Sequence, residues 1–117
     1  MLAATANLVD VEPKGGAFIY WPKSHRAVNR FFQRHPHTLD GSFRIMPEFW
    51  SGDPATSKQW QIMYGDDFDS SIGVKPECEQ FVGKRGDVIL WHAFTAHTGS
   101  ENVNDTPRLA VFSRWHR

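Results

Sequence analysis

The sequence predicts an all-β domain that carries a single short helix. Apolar, β-branched and aromatic runs of strand length recur along the chain, most clearly from Val88 to His92 and from Arg108 to Trp115. Clusters of Gly, Pro, Asn and Asp separate them, and 9 glycines with 7 prolines in 117 residues interrupt the chain too often for long helices. Only the stretch from Arg26 to Arg34 places large apolar residues at helical spacing. About five strands and one helix are expected, in a single domain spanning residues 1–117.

Taken in order, Leu2 to Val11 alternates small and branched residues and reads as the first strand, stopped by Pro13, Gly15 and Gly16. Ala17 to Trp21 is the second, ended by Pro22, and the two are expected to form a hairpin. Ser24 stands where a helix cap would, with Val28, Phe31 and Phe32 on the apolar side and Pro36 past the end. From Thr38 to Glu79 the chain is broken by Gly41, Pro47, Gly52, Pro54, Gly65, Gly73 and Pro76. A connection of that length exceeds what compact domains normally use, so it is expected to cover a site. Its Phe49, Trp50 and Trp60 suit either a substrate pocket or plain packing.

Glu79 to Val82 reads as a short strand that pairs near the unit starting at Gly86. There a Gly-Asp turn leads into Val88 to His92, a run with the look of a buried strand. His97 follows it, then a polar loop through Asn102, Asn104, Asp105 and Pro107, then the strand from Arg108 to Trp115. The expectation is a hairpin-like unit that turns the His97 imidazole and the Arg108 guanidinium toward a common space.

Composition narrows the function classes. The 40% hydrophobic and 14% aromatic fractions belong to a globular chain. With 13 basic and 13 acidic residues the formal charge is zero, which argues against a nucleic-acid surface. Cys78 is the single cysteine, so an internal disulfide is excluded and a reducing compartment fits. The first residues have neither a basic segment nor an apolar run of signal-peptide length, and no later stretch is long and apolar enough for a membrane span. A cytoplasmic location is the expectation by default.

An imidazole beside a guanidinium has a specific chemical use. Two histidines and one carboxylate bind Fe(II) and leave positions open for a keto acid and dioxygen. Arginine suits the far carboxylate of such a keto acid, because its planar fork donates two parallel hydrogen bonds and keeps its charge.

Gly86-Asp87, His92, His97, Asn102 and Arg108, with Gly15-Gly16-Ala17-Phe18 and Trp21-Pro22-Lys23-Ser24-His25 upstream, resemble in order the C-terminal part of the phytanoyl-CoA dioxygenase family. The resemblance implies a double-stranded β-helix (a cupin-like jelly roll), incomplete at its N-terminal side and holding a long middle insertion. It also implies Fe(II) and 2-oxoglutarate, with dioxygen and a small-molecule substrate. His97 matches the family's distal iron-binding histidine, and Arg108 matches the arginine that binds the 2-oxoglutarate carboxylate.

Several positions depart from that pattern. The family's other two iron ligands lie in a His-any-Asp or His-any-Glu triplet ahead of the Gly-Gly-Ala-Phe segment, and none is present: two residues after His25, His35, His37, His92 and His97 stand Ala27, His37, Leu39, Phe94 and Gly99. The chain is therefore expected to be a partial copy that starts inside an early strand and leaves sheet edges prone to self-association. Lys23 stands where the family usually has Gly, which points to a differently built turn and a structural role for His25. Gly99 occupies the place of a serine that reaches the keto acid, leaving Thr98 or Ser100 as substitutes. Alternation puts His92 on the same face as Val88 and Leu90, and the expectation is a histidine that is buried or supports the site from behind, with one hydrogen-bonded nitrogen, and that at most orients the keto acid. Asp10 and Glu12 are two apart and could offer a replacement carboxylate, but beside a Pro-Gly turn the expectation is a strand end and a solvated charge.

Two functions stay open, with a third, weaker option of an active site completed in trans by another polypeptide. One is an Fe(II)- and 2-oxoglutarate-dependent hydroxylase whose missing ligands leave this chain inactive by itself. The other is a non-catalytic β-sandwich module or an inert fragment.

Overall fold

The structure, a computed structural model, describes residues 1–34, 70–75 and 77–115. Among these the chain forms β1 (Leu2–Asn7), β2 (Phe18–Tyr20), α1 (Ser24–Arg34), a single 3-10 turn (Ser70–Ile72), β3 (Glu79–Phe81), β4 (Val88–His92), β5 (His97–Gly99) and β6 (Ala110–Trp115). The strands make two antiparallel three-stranded sheets, ordered β4-β1-β6 and β3-β2-β5. The all-β expectation therefore holds. Most of the expected cover from Thr38 to Glu79, including Phe49, Trp50 and Trp60, lies outside the described residues, as does Pro36.

Alternation along β1 sets the two faces of its sheet. Ala3, Thr5 and Asn7 are almost completely buried. Across from them stand Trp91, Ile89, Arg114, Phe112 and Ala110, which share that inner face by register. Leu2, Val88, Leu90, Val111 and Trp115 lie on the opposite face and are exposed. In the second sheet Phe18 and Tyr20 share one face with Phe81, Glu79, Gly99 and His97. A core of Ala3, Phe18 and Trp91, flanked by Tyr20, Phe81 and Ile89, joins the inner faces. Burying a large side chain of this kind contributes roughly 1.5–3 kcal/mol.

The connectivity corrects several expectations. β1 and β2 do not pair, because β4 and β6 take both edges of β1 and leave none for a hairpin. Instead the Gly16 amide donates to the Glu101 carbonyl (3.0 Å) and Gly15 bridges Asn102, which carries the chain into the other sheet. β3 pairs with β2, whose other edge takes β5 of the unit that starts at Gly86. β5 and β6 lie in different sheets, so the stretch from His97 to Trp115 crosses between layers and is not a hairpin. β1 also ends early: the Asp10 carboxylate accepts the Arg85 amide (2.9 Å), and Val11 makes only an isolated bridge to Gly83. β4 is not a buried strand, since Val88 and Leu90 are 55% and 64% exposed while Trp91 is buried.

Helix α1 forms where its spacing predicts, with Val28 and Phe32 packed beside Phe31 and Phe94. Ser24 acts differently from a cap. Its buried hydroxyl donates to the Trp21 carbonyl (2.6 Å) and accepts the Ala96 amide (2.8 Å), tying the helix start to the residue before His97. Lys23, just ahead, adopts φ +68°, the left-handed region that a glycine enters freely.

Candidate functional site

His97 opens β5 and lies between the sheets. Its ring centroid is 4.3 Å from that of Trp91 on the first sheet and 5.3 Å from that of Phe18 on the second. Nδ1 stands 2.8 Å from the Thr95 carbonyl oxygen. A carbonyl only accepts, so Nδ1 carries the proton and Nε2 presents its lone pair. Burial lowers the pKa below its usual 6.5, opposed by the Thr95 bond and assisted by the Arg114 charge. A neutral imidazole with an oriented ring and one free nitrogen is the form that binds a metal.

Arg108 precedes β6 and continues its inner-face alternation with Ala110 and Phe112. The guanidinium carbon lies 5.5 Å from the centroid of the Phe112 ring. Its Nε and Nη2 are buried and have no hydrogen-bond partner, and desolvation lowers its pKa. Two buried donors left unpaired cost free energy, and a ligand carboxylate would satisfy both. Gly16 makes the approach possible: a Cβ there would meet the Arg108 Cβ at 3.3 Å, and φ is +73°. The loop before Arg108 is closed by Asn102, whose Nδ2 donates to the Thr106 carbonyl (2.9 Å) and whose Oδ1 accepts the Asn104 amide (3.0 Å).

Other residues singled out from the sequence fall elsewhere. His92 is exposed on the outer face, where its Nδ1 accepts the Phe94 amide (3.1 Å). It shares the face of Val88 and Leu90 and has one hydrogen-bonded nitrogen, as expected, but it is not buried, and its ring lies near His25, at 5.7 Å between centroids. Burial lowers the pKa of both, with His25 adding to the effect on His92 and Arg26 to that on His25. Asp10 accepts hydrogen bonds from the Arg85 amide and Lys84 Nζ, which hold its pKa down, and Glu12 is exposed. Glu12 agrees with the solvated alternative, whereas Asp10 does not end a strand, because β1 stops at Asn7.

Gly99 faces the gap, and a Cβ there would meet nothing within 4 Å. Thr98 points to the other face, and the Ser100 hydroxyl donates to the Glu101 carbonyl (2.9 Å). Thr5 and Asn7 went unnoticed in the sequence, though polar residues at every second position of a small-residue strand were a readable signal. Thr5 Oγ1 accepts the Trp91 indole N–H (3.1 Å), while Asn7 Oδ1 and Nδ2 have no partner.

Among the described residues no three His, Cys, Asp or Glu side chains converge as a metal site, and no helix is long and apolar enough to cross a membrane. The class these features define is a two-sheet β domain with one neutral, ring-packed imidazole between its sheets and one guanidinium whose Nε and Nη2 are buried without a hydrogen-bond partner. A family model described as Phytanoyl-CoA dioxygenase (PhyH) matches residues 1–110, and the chain belongs to that family. No curated protein and no solved structure matches the chain.

Proposed function

We propose that the chain provides part of an Fe(II)- and 2-oxoglutarate-dependent hydroxylase site on a jelly-roll framework, with His97 as a metal ligand and Arg108 as the anchor for the far carboxylate. Fe(II) with 2-oxoglutarate supplies oxidative decarboxylation of the keto acid coupled to hydroxylation of a substrate C–H bond. The Thr95 carbonyl fixes the His97 tautomer, and the Trp91 and Phe18 rings hold the imidazole plane. Arg108 offers Nε–H and Nη2–H from a buried position over Phe112. Those two orphaned donors are the observation that carries the reading. Dioxygen and a small organic molecule are the proposed partners, the location is cytoplasmic, and the exposed sheet edges, with Leu90 and Val111 exposed on the edge strands, favour self-association. Sedimentation as a clean monomer at high concentration would refute that last point.

A second reading, a non-catalytic module, draws on the missing His-any-Asp or His-any-Glu triplet. The discriminating experiment follows succinate release from labelled 2-oxoglutarate by the chain alone and by a version joined to an upstream family segment bearing the triplet. Turnover is expected only in the joined version and is lost in His97→Ala and Arg108→Ala. Turnover that survives both substitutions would overturn the assignment. Absence of turnover from the joined version, with no binding of 2-oxoglutarate, would favour the module.

A further inference from the structure

The geometry points to Asn7 as a second carboxylate-binding residue, donating through Nδ2 to the same carboxylate that Arg108 holds. Asn7 ends β1 on the inner face and is 1% exposed, yet neither Oδ1 nor Nδ2 has a hydrogen-bond partner. Its backbone is fully used: the amide donates to the Asp87 carbonyl (2.9 Å) and the carbonyl accepts the Gly86 amide (2.7 Å). The strand end is thus pinned, and the side chain is held in place without a contact that explains its polarity.

The register supplies the neighbour. Asn7 stands opposite Ala110, and the Leu8 amide donates to the Leu109 carbonyl (2.9 Å), so pairing continues one step toward Arg108. Arg108 is therefore the diagonal neighbour of Asn7 on the same face, a separation of roughly 7–8 Å between backbones that long side chains readily span. Both groups carry buried, unpartnered N–H donors. Adjacent donors of this kind call for an anionic acceptor between them, and a carboxylate has enough lone pairs for the Arg fork and an amide together. The inference rests on Arg108 being the carboxylate anchor and adds a residue that the family pattern does not specify.

The test uses glutarate, a five-carbon diacid without the keto group, added to the metal-free 117-residue chain while the side-chain amide resonances of Asn7 are followed by NMR. Glutarate is expected to shift those resonances and to raise the melting temperature. Arg108→Met abolishes binding. Asn7→Leu weakens it about tenfold or more, the scale of one hydrogen bond to a charged group, while its unliganded form melts no earlier than the parent. Asn7→Asp keeps the shape and places a fixed carboxylate beside Arg108, so it loses glutarate and gains thermal stability. Parent affinity in Asn7→Leu or Asn7→Asp, with binding still lost in Arg108→Met, overturns the role of Asn7 alone. An early-melting Asn7→Leu also overturns it, because the amide would then serve packing. If the parent chain binds neither glutarate nor 2-oxoglutarate, both Asn7 and the Arg108 reading fall.

Discussion

Replacing Gly16 by alanine tests how the turn after β1 holds Arg108. The substitution has two separable costs. At φ +73° an L side chain is strained by about 1–2 kcal/mol. The new Cβ would also stand 3.3 Å from the Arg108 Cβ and 3.6 Å from both the Arg108 Cδ and the Asn102 Cβ, so these groups must retreat by a few tenths of an ångström. Overpacking on this scale adds on the order of 1 kcal/mol. The sum, about 2–3 kcal/mol, corresponds to a melting temperature lower by about 8–12 °C for a domain of this size. Urea unfolding of the parent, Gly16→Ala, Gly16→Asn and Gly99→Ala measures it. Asparagine tolerates the left-handed region and recovers part of the strain but none of the contact. Gly99→Ala enters open space at an ordinary φ and is expected to stay within about 0.5 kcal/mol of the parent. Equal stability of Gly16→Ala and the parent, or an equal loss in Gly99→Ala, would refute the account.

Further outcomes are expected elsewhere in the chain. Lys23→Gly relieves the positive φ at the helix entry and should stabilise by about 0.5–1 kcal/mol in chemical denaturation, net of glycine's greater unfolded freedom. Trp91→Phe removes the donor to Thr5 and part of the ring packed on His97, a loss of about 2–4 kcal/mol. Adding Thr5→Val to it should cost less than the sum of the two, and strict additivity in the double-mutant cycle would count against the bond. His97 has a folded pKa below 6.5, lowered first by burial. Above 6.5 neither state holds the proton, and as pH falls below it the unfolded chain protonates first, so stability is lost toward the folded pKa. His97→Gln lacks this component, and its unfolding free energy should fall less between about pH 7.5 and 5 than that of the parent.

Legibility differed between levels. Strand existence was readable because β-branched and aromatic runs mark Val88 to His92 and the stretch ending at Trp115 in any context. Pairing was not, since proximity in sequence suggested hairpins while the partners of Leu2–Asn7 lie roughly 80 to 115 positions further on. The alternating exposure of β4 followed from the same gap: a run of Val, Ile, Leu and Trp looks buried on both sides until its layer is known. His97 and Arg108 were found through the spacing of a family pattern, and their environment came from the fold. Asn7 lay inside the strand read from Leu2 to Val11, and alternation alone does not tell which polar member of a strand is buried.

The two central strands, β1 and β2, precede every strand they pair with. On a ribosome moving at about 5–20 residues per second, β1 waits several seconds with both its edges bare before β4 exists, and longer for β6. Its Ala-rich sequence, Leu-Ala-Ala-Thr-Ala-Asn, suits that delay, offering little greasy surface for a stray partner to seize. Bulkier residues at Ala4 or Ala6 would lower the yield of newly made chain before they changed the finished molecule.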